Sequence, residues 1–105
     1  MKKLMLAASA CALMAGAASA EDVKIGILIG FTGPIESLTG HMANAAEAAM
    51  AEVNASGKAK NNYISVRGDD TCTDAAVAQA AAEKLVTAEG VKGIIGGDCS
   101  GVTRA

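Results

Sequence analysis

The chain has 105 residues, 51% of them hydrophobic and 2% aromatic, with a formal net charge of −2. A chain this mildly acidic offers no electrostatic footing for nucleic acid or an anionic membrane surface. With one Phe, one Tyr and no Trp, its core must be built from Ile, Val, Leu, Met and Ala, and its length supports at most a small domain.

The N-terminus reads as a secretory leader. Lys2 and Lys3 form a basic start, Leu4 to Ala15 is an apolar, alanine-rich run, and Ala18-Ser19-Ala20 is a small-residue cleavage site before Glu21-Asp22. The apolar run is too short to span a bilayer, so no direct membrane span is expected. A lipid anchor at Cys11 would need a large aliphatic residue upstream, which Ala8-Ser9-Ala10 lacks. Residues 1–20 are therefore expected to be a cleaved signal peptide, with 21–105 delivered to an oxidising compartment. Lys2, Lys3 and Cys11 leave with the leader. Seven basic residues then face eleven acidic ones, a charge of −4, and two cysteines remain with one possible pairing.

From residue 21 the apolar pattern alternates between two periods. Val23 to Ile29 is apolar on nearly both sides, as in a parallel strand covered by helices on each face. Phe31 to Gly40 reads as a loop punctuated by Gly33 and Pro34. A helix is expected from about His41 to Ser56, with Met42, Ala45, Ala46, Ala49 and Val53 on its apolar face and Gly57 ending it. Tyr63 to Arg67 reads as the second strand, reaching Gly68-Asp69-Asp70. Thr73 or Asp74 caps a helix over Ala75 to Ala88, with Val77, Ala81, Leu85 and Val86 as its stripe and Gly90 as its stop. Val91 to Ile95 is the third strand, and a new helix opens near Ser100.

This β-α-β-α-β order predicts the α/β class: the first units of a doubly wound parallel sheet with right-handed crossovers. Three strands and an opening helix make an incomplete sheet, so the expectation is an N-terminal part of a longer protein. Ligands of such sheets sit at the carboxyl ends of the strands. The loops there are Gly30 to Gly40, Gly68 to Asp74 and Gly96 to Thr103. Cys72 and Cys99 lie in the second and third, and a bridge between them would close a loop worth roughly 3.5 kcal/mol in the chain-entropy model.

Motifs for other chemistry fail on spacing. Gly26, Gly30 and Gly33 miss G-x-G-x-x-G, Asp69-Asp70 has no third metal ligand in view and reads as solvated or capping carboxylates, and Gly97-x-x-Ser100-Gly101 is one residue off G-x-S-x-G. His41 reads as a surface residue. No cofactor, metal or catalytic group is expected. Ser100 carries two readings of equal weight on spacing alone. It is a helix N-cap, or its hydroxyl and the N–H groups of Gly101 and Val102 turn toward a carboxylate.

The residues after the leader resemble the start of a type I periplasmic solute-binding protein of the leucine/isoleucine/valine-binding group. The resemblance rests on Val23-Lys24-Ile25-Gly26 leading to Phe31-Thr32-Gly33-Pro34, on Ala48 to Gly57, and on Asp69-Asp70-Thr71-Cys72 with Asp98-Cys99-Ser100. It covers essentially all of 21–105. It implies one lobe of a two-lobed periplasmic protein that closes on a small-molecule amino acid and delivers it to the membrane subunits of an ABC permease. It assigns the bridge to Cys72 and Cys99 and the ligand α-carboxylate to Ser100. The loop after Gly33-Pro34 would face the ligand side chain through residues such as Ser37 and Leu38, with no aromatic there. A receptor or sensor domain of the same fold is the alternative reading.

Overall fold

The computed structural model describes residues 19–105; the expected signal peptide, with Cys11, lies outside the described residues except for its last two positions. Six elements follow in order: β1 (Glu21–Ile29), α1 (Glu36–Ala55), β2 (Asn61–Asp69), α2 (Ala75–Thr87), β3 (Gly93–Gly96) and α3 (Ser100–Thr103). The strands form one parallel sheet in the order β2-β1-β3, with Ile29 opposite Asp69 and Leu28 opposite Gly96. The expected α/β architecture is what the chain adopts.

The central strand β1 divides the core in two. Ile27 and Ile29 point to one face and pack on Ala43, with Phe31, Ala46 and Met50 around them. Leu28 points to the other face and packs on Leu85 and Val91, with Val66, Ala81 and Ala82 alongside. Each large aliphatic side chain buried in this way stabilises the fold by about 1.5–3 kcal/mol. The near-continuous apolar run of β1 is thus explained by helices on both sides, α1 on one and α2 on the other.

Helix α1 starts five residues earlier than expected, at Glu36 instead of His41. Ser37 and Leu38 therefore lie on its exposed first turn and not in a loop. Glu36 suits the positive end of the helix dipole, and the fully buried Thr39 donates its Oγ1 hydrogen to Glu36 O at 3.2 Å. Gly40, expected to be the last residue of the loop, sits inside the helix. The expected stripe is also rotated: Thr39 and Ala43 are buried, with Ala46 and Met50 partly so, while Met42 and Val53 are exposed. In α2, Ala78 and Leu85 are buried and Val77 and Val86 are not. Alanine fits either face of a helix, so the stripe of an alanine-rich helix is weakly marked in sequence.

Of the two candidate caps for α2, Asp74 serves, accepting from the N–H groups of Ala76 (2.8 Å) and Val77 (3.2 Å). Strand β3 is shorter than expected and shifted toward its end. Val91 is buried before the strand begins, and Gly96 closes it at φ +141°. A Cβ at Gly96 would run into the carbonyl oxygen of Leu28. Two polar clamps fasten α1 to β2. Arg67 donates to Glu47 through Nε and Nη2, both at 2.8 Å, and to Asn44 at 2.9 Å, with its guanidinium carbon 5.4 Å from the Phe31 ring centre. Asn54 exchanges two 2.8 Å hydrogen bonds with the backbone of Tyr63, covering the outer edge of β2 at that point.

The helical placement of Gly40 has a direct check, because a Cβ there meets nothing within 4 Å. Gly40→Ala should raise stability by about 0.5–1 kcal/mol in urea denaturation. A loss of stability would return residue 40 to a loop.

Candidate functional site

Three loops meet at the carboxyl edge of the sheet, and what joins them is specific. Strands β2 and β3 are not neighbours; β1 lies between them, which sets them about 9–10 Å apart. Yet Cys72, just after β2, and Cys99, just before α3, are bridged, with Cα atoms 5.2 Å apart. Their loops must lean inward over the end of β1. Thr71 (φ 58°) and Cys72 (φ 66°) make that bend in the left-handed region, which side chains beyond Cβ rarely adopt. Two carboxylates stabilise it locally: Asp69 Oδ1 accepts the Thr71 N–H at 2.9 Å and Asp70 Oδ1 accepts the Cys72 N–H at 2.8 Å. Beneath the bend lies Gly30, where a Cβ would stand 3.2 Å from Cys72 Cβ and 3.3 Å from its nitrogen. A side chain there would crowd the bend.

The carboxylates also tie the loops to each other. Asp69 accepts the Thr32 hydroxyl at 2.6 Å and the Thr32 N–H at 3.2 Å, drawing the β1–α1 loop onto the end of β2. Asp98 accepts the Gly30 N–H at 3.2 and 3.4 Å through its two oxygens, drawing the β3–α3 loop onto the end of β1. With the disulfide, each pair of loops is joined. Sequence reasoning took Asp69 and Asp70 as solvated or capping carboxylates and gave Asp98 and Thr32 no role of their own. An Asp two residues before the amide it accepts is a readable signal for the turn. The ties spanning 37 and 68 residues have no such local sign.

These roles leave an electrostatic mark. Burial pushes the Asp69 carboxyl up, but the hydrogen bonds from Thr32, Thr71 and Phe31 together outweigh it and hold the group below its ordinary value. Asp70 goes the other way. Burial raises it, against the Cys72 N–H, and the neighbouring Asp98 and Asp69 carboxylates reinforce the rise. Asp70 is fully buried and its Oδ2 has no partner among the described residues; it borders a cavity of about 330 Å³ lined also by Leu28, Gly97 and Val102.

The residues expected to seat a carboxylate lie at the same edge. Ser100 is the exposed first residue of α3; the capping position is Cys99, and no side chain caps the helix. Ser100 is therefore not the N-cap that one of its two readings made it. Gly101 follows it, also exposed. Val102 departs from expectation, since its N–H donates to Cys99 O at 3.2 Å and its side chain is buried. An open depression of about 250 Å³ is lined by Gly97, Asp98, Ser100, Thr103 and Arg104. Among the described residues no group of three His, Cys, Asp or Glu is placed to hold a metal ion, and no helix is long and apolar enough to cross a membrane.

The periplasmic binding protein family profile matches residues 22–105. The chain belongs to the periplasmic binding protein family. Similar proteins include Leu/Ile/Val-binding protein homolog 7 of Brucella melitensis, 40% identical over 103 residues, covering 96% of this chain and 25% of the relative. The Leu/Ile/Val-binding protein of Escherichia coli K12 is 35% identical over 103 residues, covering 97% of this chain and 28% of the relative. Among solved structures, the branched-chain amino acid transporter substrate binding protein LivJ of Streptococcus pneumoniae, in complex with isoleucine, superposes with a TM-score of 0.70 at 26% identity. That match covers 79% of this chain and 24% of LivJ. This family member thus spans about a quarter of the length of the curated relatives it matches.

The Asp69 tie should show in the pH dependence of stability. Its folded-state value lies below that of an unfolded Asp, about 3.9, so its contribution is complete above that pH and lost as pH falls through the folded value. Asp69→Ala should cost about 1–2 kcal/mol at pH 7, and denaturation curves of variant and parent should converge as the pH falls through the depressed folded-state value. A cost that stays constant as the pH is lowered through the acid range would exclude the ionised tie.

Proposed function

We propose that residues 21–105 begin the first lobe of a two-lobed periplasmic substrate-binding protein for aliphatic amino acids or related small carboxylates and amides. Residues 1–20 act as its cleaved signal peptide. It hands its ligand to the membrane subunits of an ABC permease and catalyses no reaction. The observation that carries this reading is the exposed Ser100 directly after the bridged Cys99, at the carboxyl edge of the sheet. The chain's relatives named for Leu, Ile and Val binding support the ligand class.

The chemistry suits a carboxylate. Ser100 offers a hydroxyl donor, and the first-turn N–H groups of Ser100 and Gly101 have no backbone acceptor among the described residues. Such donors around a carboxylate removed from water each contribute about 1.5–3 kcal/mol. The Val102 amide is committed to Cys99 and plays no direct part; its buried side chain anchors the short helix. Ser37 and Leu38, exposed on the first turn of α1, are the candidates for the ligand's side chain. Closure of the two lobes would exclude water and strengthen every one of these contacts.

Calorimetric titration of the full-length protein with leucine, isoleucine and valine tests the branched-chain members of that ligand class. Heat of binding with at least one of the three is expected, and silence with all three would remove the branched-chain assignment. Ser100→Ala should weaken binding by about 1.5–3 kcal/mol, whereas unchanged affinity would leave Ser100 without a ligand role.

A further inference from the structure

The segment that carries Ser100 is held on its sheet side at two points, and they are of different kinds. Cys99 is joined to Cys72 through the disulfide, which reaches across to the end of β2. One residue earlier, Asp98 accepts the Gly30 N–H with both carboxylate oxygens, at 3.2 and 3.4 Å, which reaches to the end of β1. Between the sheet and this segment stand Gly96 and Gly97, which offer the backbone no side-chain anchorage. After Ser100, the four-residue helix α3 is anchored by the buried Val102 side chain. On the side that joins Ser100 to the sheet, these two fasteners are what place it.

Asp98 is costly in that setting. It stands close enough to Asp70 and its neighbour Asp69 to raise the Asp70 carboxyl, so three carboxylates crowd one sheet edge. An acid there is unfavourable unless the bond it makes compensates, and the Gly30 amide is the group it meets. That amide, in a buried glycine under the Cys72 bend, has no other acceptor among the described residues.

We propose that Asp98 is a positioning residue for ligand binding: together with the Cys72–Cys99 bridge it fixes the Ser100 segment on the end of β1, each fastener compensating for loss of the other. This rests on the assignment of Ser100 to the ligand carboxylate. Two fasteners on one segment restrict the same freedom, so their effects are not additive. Removing either leaves Ser100 nearly in place. Removing both lets it leave the carboxylate's reach.

Two readouts on the full-length protein test this. In the first, amide hydrogen exchange is followed without ligand. Asp98→Ala should speed exchange at Gly30 by about tenfold or more, and Asp98→Asn, which keeps an acceptor oxygen, should restore the slow rate. In the second, the Kd for isoleucine is measured with and without the bridge. Asp98→Ala should raise it about threefold in the bridged protein, and by a further factor of about ten when Cys72 and Cys99 are both serine. Unchanged Gly30 exchange in Asp98→Ala, or the same factor in both backgrounds, overturns the proposal. Parent protein that binds none of leucine, isoleucine and valine sinks the branched-chain reading instead, and the exchange experiment still decides whether Asp98 fastens the loop. If the serine variant does not fold, unchanged Gly30 exchange or an unchanged Kd in bridged Asp98→Ala overturns the proposal.

Discussion

Two strands that share no hydrogen bonds are covalently joined in this fold, and the rest of the carboxyl edge follows from how that is done. Because β1 separates β2 from β3, the Cys72–Cys99 bridge must pass over the end of the central strand. The chain after β2 turns inward through two left-handed residues, Thr71 and Cys72, and packs closely over Gly30, the residue after β1, where a Cβ would be crowded. The inward lean brings Asp69, Asp70 and Asp98 close together. Each is given backbone donors to accept, from Thr32 and Thr71, Cys72, and Gly30 respectively. A disulfide closing a loop of this length stabilises by about 3–4 kcal/mol through the unfolded chain. Its further consequence is in the native state, where it makes three separate loops into one surface.

The two-faced core sets that surface in place. Ile27 and Ile29 draw α1 to one side of β1, and Leu28 draws α2 to the other. The N-termini of α1, α2 and α3 all follow strand ends, so the exposed polar residues in the first turns of α1 and α3 gather on the same edge as the bridge. Ser100 stands there beside a rigid covalent link rather than on a mobile loop. A binding protein gains from such preorganisation, because little conformational freedom is left to lose when the ligand arrives.

Much of this was legible in the sequence. The unbroken apolar run of β1, the β-α-β-α-β alternation and the two cysteines within residues 21–105 were enough for the sheet, its parallel order and the bridge. The start of α1 was not, because Gly33, Pro34 and Gly40 all look like breaks. Only Gly33 and Pro34 are, since Gly40 is carried within a helix held by its neighbours. The buried stripes were displaced for a related reason: α1 buries a threonine, Thr39, and alanine marks no face. The ties made by Asp69 and Asp98 were invisible, since each joins residues far apart in the chain and neither belongs to a local pattern. In Asp69-Asp70-Thr71-Cys72 the carboxylates first read as solvent-facing, and the structure makes them the scaffold of the bend.

The proposed seat of a ligand carboxylate at Ser100, beside the bridge at the end of the sheet, is open to a crystal structure of the full-length protein grown with isoleucine. An isoleucine carboxylate oxygen is expected within about 3 Å of Ser100 Oγ, with Cys72 and Cys99 bridged and Asp98 still on the Gly30 amide. Isoleucine bound with its carboxylate on other residues, and Ser100 facing solvent, would contradict it.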